Sequence, residues 1–260
     1  MILQNNRITR VLAVLAVCTL FTAGMVAAQD MTADRVIAKN IEACGGAEAW
    51  AKIKTIKMTG TYVNFSDPEE FIMWRARPDL YRFDCKRINY YTVHAYDGNQ
   101  AWWVNGLMGP QFENPGPIPA QGNLDKVTLR DRFFEPVFWN YAAKGNAVEL
   151  TGKEELDGDD VYVLKVTLKD GSVETWYIDA DTFLAVAMTG DTYDFGRKCK
   201  LDAFFSDYRE VGGVVLPWLI ESEYLIRYRS MEIETIEING DDFDMGVFEM
   251  PDAEHWEKKL

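Results

Sequence analysis

The amino-acid sequence predicts a mainly β, α+β fold: a half-open, curved antiparallel β-barrel of about ten or eleven strands with an N-terminal helix and a short helical lid. Three observations carry this prediction. Segments of alternating apolar and polar residues recur along most of the chain. Turn signals such as Asp97-Gly98 and Gly212-Gly213 fall between them. Helical periodicity is confined to the start and to one stretch near the middle.

Residues 1–28 read as a cleaved secretory signal peptide, because Arg7 and Arg10 precede an apolar run from Val11 to Val26 that ends in the small residues Ala27 and Ala28. The run contains Thr19 and Thr22 and is shorter than the roughly 20 residues that a spanning helix needs. A rival reading makes Cys18 a lipidated N-terminus, but bulky Val17 stands where such motifs carry Gly, Ala or Ser. Residues 29–260 then form one domain, long enough for an all-β fold with a sizeable core. Export through the leader places that domain in the periplasm.

From Thr32 the apolar residues Val36, Ile37, Ile41 and Ala43 or Cys44 share one helical face, and Gly45-Gly46 supplies the stop. Ala47 to Ile53 reads as a second short helix. The period then changes to two. Ile56, Met58, Gly60 and Tyr62 alternate with polar residues from Lys54 to Asn64, and Glu70–Arg77 and Leu80–Arg87 form a hairpin about Pro78-Asp79. Tyr90–Tyr96 and Gln100–Val104 pair around Asp97-Gly98-Asn99. Gly106 to Gly122 contains Pro110, Pro115, Pro117 and Pro119, a density that predicts an irregular loop. Leu124 to Phe134 reads as the lid helix.

The second half is a meander: Ala147–Glu154, Val161–Lys169, Val173–Asp179, Leu184–Thr189, Arg197–Glu210, Val214–Tyr228 and Met231–Ile238. Its turns, such as Leu156-Asp157-Gly158-Asp159 and Lys169-Asp170-Gly171-Ser172, carry the expected residues.

Charge and chemistry narrow the function. A net charge of −14, more negative once Arg7 and Arg10 leave, argues against nucleic acid and against unaided binding to anionic membranes. The serines lie in no GxSxG turn, and phosphate-binding glycine loops and HExxH helices are missing. His94 shares a strand face with Thr92 and Tyr96; it reads as a packed strand histidine or a general base, and His255 as an exposed tail residue. Glu221 and Glu223 share one strand face, outward or cavity-lining. Acidic turns read as solvated, with calcium ligation the alternative. The mature cysteines Cys44, Cys85 and Cys199 include no CxxC pair, and a bond between Cys85 and Cys199 is one option in an oxidising compartment. The expected protein is a monomer with no enzymatic activity, cofactor or metal.

The positive signal is aromatic: 8 Trp, 12 Tyr and 14 Phe. A rolled sheet of about ten strands is wider than its side chains readily fill, so its interior is expected to accept a ligand. Trp74, Trp102, Trp103, Phe112, Phe133, Phe134 and Trp139 are the candidate lining and lid residues, each with core packing as its other reading.

The segment from Val36 through Cys44-Gly-Gly-Ala-Glu-Ala-Trp50 to Ile53-Lys-Thr-Ile-Lys-Met-Thr-Gly60 resembles the N-terminus of LolA-like outer-membrane lipoprotein-sorting proteins. Gly152-Lys-Glu-Glu-Leu-Asp-Gly-Asp-Asp-Val-Tyr-Val-Leu164, Trp176-Tyr-Ile-Asp-Ala-Asp-Thr-Phe-Leu184 and Ser206-Asp-Tyr-Arg-Glu-Val-Gly-Gly-Val-Val-Leu-Pro217 resemble that family's later blocks. The resemblance implies a helix-covered half-barrel whose apolar cavity accepts acyl chains of lipoproteins or other lipids crossing the periplasm. A sensor or adaptor that recognises lipoproteins or an inner- or outer-membrane protein is the alternative. No motif aligns with the family's lid arginine, so Arg130 and Arg132 are candidates by position alone.

Overall fold

The computed structural model describes residues 31–64, 67–87, 90–107, 116–122, 126, 128, 134–194, 197–224 and 227–252. Helices α1 (Ala33–Ala43) and α2 (Ala47–Lys52) precede thirteen strands. The first six are β1 (Thr55–Val63), β2 (Pro68–Ala76), β3 (Leu80–Arg87), β4 (Tyr90–Tyr96), β5 (Ala101–Leu107) and β6 (Ile118–Pro119). The rest are β7 (Ala147–Leu156), β8 (Asp159–Thr167), β9 (Val173–Asp179), β10 (Ala185–Asp194), β11 (Arg197–Val211), β12 (Val214–Tyr224) and β13 (Arg227–Ile238). A 3-10 turn at Met245–Phe248 follows.

All thirteen strands form one antiparallel sheet in the order β6-β5-β4-β3-β2-β1-β13-β12-β11-β10-β9-β8-β7. Two meanders are thus joined by the pairing of β1 with β13, and the edges β6 and β7 remain unpaired with each other, which leaves the barrel half open. The thirteen exceed the expected ten or eleven because each of the twelve alternating segments forms its own strand and the proline segment, predicted to be wholly irregular, contributes β6, where Pro119 and Ile118 lie against Trp102 and Trp103. An edge strand needs no inward N–H at every residue, so proline is tolerated there. The boundary expected between Val214–Tyr228 and Met231–Ile238 lies earlier, after Tyr224, so that Arg227 and Tyr228 belong to β13. Of the predicted lid helix, Lys126 and Thr128 are helical and the remainder, except Phe134, lies outside the described residues.

The two double glycines find their purpose in each other. Helix α1 ends in a Schellman motif: Gly46 N donates to Ile41 O (2.8 Å), Gly45 N to Glu42 O (3.0 Å), and Gly45 adopts φ +102°. This brings Gly45 so close to the β11–β12 turn that a Cβ on it would stand 2.4 Å from Gly213 O. Val215 N completes the junction by donating to Cys44 O at 3.1 Å. A second close approach lies at Gly60, where a Cβ would meet Glu232 O at 2.1 Å and the β1–β13 register slips between Thr59 and Gly60. Such a bulge bends the sheet at the seam between its two meanders.

Pairing registers assign every strand residue to one of two faces. Ile56, Met58 and Gly60 of β1 lie level with Arg75, Met73 and Phe71 of β2 and, through them, with Tyr81, Phe83 and Cys85 of β3; Tyr62 lies level with Glu69 on the same face. The same face continues through Tyr96, His94 and Thr92 of β4 to Trp103 of β5. In the other direction it runs through Met231 and Arg229 of β13 and Ile220, Ser222 and Tyr224 of β12 to Ala203 and Phe205 of β11. The helices cover one end of this inner face, with Trp50 and Ile53 packed in one cluster with Ile56, Met58, Met73 and Tyr81.

Candidate functional site

The covered end of the inner face is a sealed core. Arg77 ties it together: its guanidinium donates to Ile53 O (2.7 Å), Trp50 O (2.9 Å) and Glu135 (2.5 Å), and lies over the Phe134 ring at 4.9 Å. Lys144 bonds Glu135 from the other side at 3.5 Å. Helix α1 is held over the other half by Asn40 Nδ2, which donates to Phe183 O at 2.7 Å. Phe134 and Trp139, predicted lid aromatics, belong to this core cluster and are buried. Among the described residues, the arginine that fastens the helical cover to the sheet is therefore Arg77, which pattern reading passed over as the end of a strand.

Toward the other end the same face stays apolar but is not sealed. Tyr62, Trp103, Trp218, Ile220, Met231, Leu201 and Phe205 all face inward and all keep partial exposure. His94 shows that this space is interior. It retains accessible surface, yet protein surrounds it so fully that its pKa falls from 6.5 to about 4, by burial first and then by the charge of Arg229. His94 thus combines accessible surface with surroundings that disfavour its charge. The Arg229 effect also reports curvature, since β4 and β13 are four places apart in the sheet and would be about 19 Å apart if it were flat.

The rim of this half is polar. Arg229 lies over the Tyr224 ring at 4.0 Å and donates from Nε to Asn64 Oδ1 at 2.7 Å; Arg227 lies over the same ring at 5.3 Å. Burial holds the Arg227 pKa below its ordinary value. Glu69, buried on the inner face of β2, accepts the Cys85 thiol at 2.7 Å, and burial pushes that thiol up to about 12. Cys44, Cys85 and Cys199 are free thiols, so the contemplated bond between Cys85 and Cys199 is absent; five places in the sheet order separate their strands β3 and β11. Glu221 points outward, where Tyr228 Oη donates to it.

The tryptophans singled out from sequence divide between the two faces. Trp102 and Trp103 are neighbours on β5 and so point in opposite directions. Trp103 lies level with His94 on the inner face. Trp102 is wholly buried on the outer one, among Tyr91, Val93, Ala95 and Val104, with its indole N–H donating to Phe248 O at 2.8 Å. Trp74 is also on the outer face, where Arg82 lies over its ring at 5.4 Å and over Trp102 at 5.5 Å. Arg82 makes two bonds to the buried Asp84 (2.6 and 2.7 Å) and a third to Val247 O (2.8 Å), and Tyr91 Oη donates to Asp84 at 3.1 Å. Burial outweighs these partners and raises the Asp84 pKa. This outer cluster anchors the C-terminal 3-10 turn. Phe112, Phe133, Arg130 and Arg132 lie outside the described residues. Among the described residues no cluster of His, Cys, Asp and Glu suits a metal ion, and no helix is long and apolar enough to cross a membrane.

Solved structures share this architecture. A LolA superfamily protein from Nitrosomonas europaea matches 85% of this chain and 98% of its own at 12% identity and a TM-score of 0.51. A DUF1329 family protein from Desulfovibrio piger matches 83% and 96% at 13% identity and a TM-score of 0.55. An outer membrane lipoprotein-sorting domain from Vibrio parahaemolyticus matches 82% and 94% at 10% identity and a TM-score of 0.52. The chain has the LolA-superfamily fold. At such identities the likeness is one of backbone, and the sequence itself matches no family model and none of the curated proteins. Within the LolA-type sheet of this protein the unsealed inner face is the candidate site.

Proposed function

We propose that this protein is a periplasmic carrier that takes acyl chains of lipoproteins or other lipids into the open half of its inner face. The observation that carries the reading is the unsealed apolar wall itself: Tyr62, Met231, Ile220 and Phe205 form one cross-strand row on the inner face, which Trp103 and Trp218 share, and all keep partly accessible surfaces. Covering such surface with hydrocarbon gains roughly 25 cal/mol per Å² and needs no cofactor. No catalytic residue is assigned: His94 is kept neutral by its surroundings, and its charged neighbour is an arginine, not a carboxylate that would orient it as a base. Residues 1–28 are the leader, and residues 29–260 act as one domain and as a monomer. The fold shared with a lipoprotein-sorting domain supports transport of lipidated cargo, and delivery to an inner- or outer-membrane protein completes the scheme.

The test is titration of delipidated protein with a fluorescent fatty acid. Saturable binding near one equivalent is expected, and Trp103→Ala and Met231→Ala should each weaken it. A titration that stays linear to high ligand concentration contradicts the carrier reading.

A further inference from the structure

We propose that the ligand of the inner face is an anionic amphiphile, its hydrocarbon against the apolar wall and its carboxylate or phosphate head on Arg229 and Arg227 beside Tyr224. This deepens the carrier reading and rests on it. The chain as a whole is acidic, at −14, yet the charged groups turned inward at the open half of β13 are two guanidiniums. They are placed there by strand parity: Arg229 lies level with Ser222 and Arg227 with Tyr224 on the same face as Met231 and Ile220. Among the described side chains of β1–β3 and β11–β13, the inward carboxylate is Glu69, and it is engaged by Cys85.

Two further observations point to a missing acceptor. Tyr224 is 5% exposed and its Oη has no partner among the described residues, although a buried hydroxyl is costly to leave unbonded. Arg229 spends its Nε on Asn64 and its face on Tyr224, and its charge is strong enough in this enclosed space to act on both His94 and Cys199. His94 is neutral and so offers no competing charge. The Tyr224 hydroxyl and the Arg229 guanidinium, which presents a planar fork, lie together on an apolar wall and suit one oxyanion at the end of a hydrocarbon chain. A neutral lipid would bring no negative charge to set against the desolvation of the Arg229 guanidinium.

The experiment compares matched pairs on delipidated protein in 150 mM salt, by displacement of a fluorescent fatty acid: oleate against oleyl alcohol, and oleoyl lysophosphatidate against monooleoylglycerol. The anionic member of at least one pair should bind about tenfold tighter or more, as expected for a charge-assisted bond in a desolvated site. Which pair shows the preference tells whether the head is a carboxylate, a phosphate or either. Arg229→Gln should bring the anion's affinity down to that of its neutral partner, and Arg229→Lys should keep part of the difference. Equal affinities within both pairs for the wild-type protein overturn this inference and leave the carrier reading intact; failure of all four to bind overturns both. The wild-type comparison needs no variant to fold, and a preference that survives in well-folded Arg229→Gln also refutes the assignment to Arg229.

Discussion

Acid should loosen this protein through one imidazole. His94 has its pKa lowered from 6.5 to about 4, chiefly by burial and then by Arg229 across the rolled sheet. Between those two values the unfolded chain binds a proton at His94 that the folded chain refuses. Stability from this group is therefore complete above pH 6.5 and lost as pH falls through about 4. A displacement of that size corresponds to about 3 kcal/mol, trimmed to about 2 kcal/mol by the solvent that reaches the ring. Urea unfolding followed by tryptophan fluorescence at pH 7, 5.5 and 4 measures it, and His94→Gln, neutral at every pH, isolates it from the many carboxylates. The wild-type protein should lose about 2 kcal/mol more than the variant over this range. Parallel losses in the two proteins would refute the reasoning, and with it the enclosure of His94 and the nearness of Arg229.

The outer and inner tryptophans should separate stability from binding: Trp102→Ala removes a wholly buried indole and costs about 3–5 kcal/mol, whereas Trp103→Ala weakens lipid binding several-fold with a smaller loss in urea midpoint. Gly45→Ala forces a Cβ into the Gly213 backbone and holds alanine at φ +102°, so it should cost about 2–4 kcal/mol. Gly46→Ala meets no neighbouring atom but holds alanine at φ 83°, ψ 163°, a region essentially confined to glycine, so it should cost about 1–3 kcal/mol from the backbone alone; a Gly45→Ala loss smaller than that of Gly46→Ala in chemical denaturation would undo the interlock of the two glycine pairs. Arg82→Met strands Asp84 in the outer cluster and should cost about 3–5 kcal/mol, most of it recovered in Arg82→Met/Asp84→Leu; a double variant no better than the single one tells against the buried pair. Reductant should leave the melting temperature unchanged, because Cys44, Cys85 and Cys199 are free; a fall of several degrees would reveal a bond.

Much of the scaffold was legible because its signals are local. Helix α1 followed from a stripe of Val36 and Ile37 and a glycine stop, and the hairpins β4–β5, β7–β8 and β8–β9 from turns built on Asp and Gly. Where the local signal failed, so did the reading. The end of β12 at Tyr224 carries no turn signal in the sequence, and β6 hides in a proline-rich stretch. Arg227 and Arg229 passed unnoticed because arginine at alternate positions usually marks a solvent face; nothing near them in sequence reveals that the charge of Arg229 acts on His94 of β4.

What the chain determines by itself is which residues travel together: alternation commits Trp102 to one face and Trp103 to the other, and no environment can place both on the same side. What it leaves open is which face turns inward, because both sides of β3–β5 are rich in apolar and aromatic residues. The tertiary structure decides this through contacts between distant segments. Met245–Phe248 covers Trp102, α2 covers Ile56 and Met58, and the β1–β13 seam rolls the sheet so that Trp103, His94 and Arg229 share one interior. Such choices depend on the burial of whole faces against partners as distant in sequence as Ile56 and Ile238, and no window of neighbouring residues contains that information.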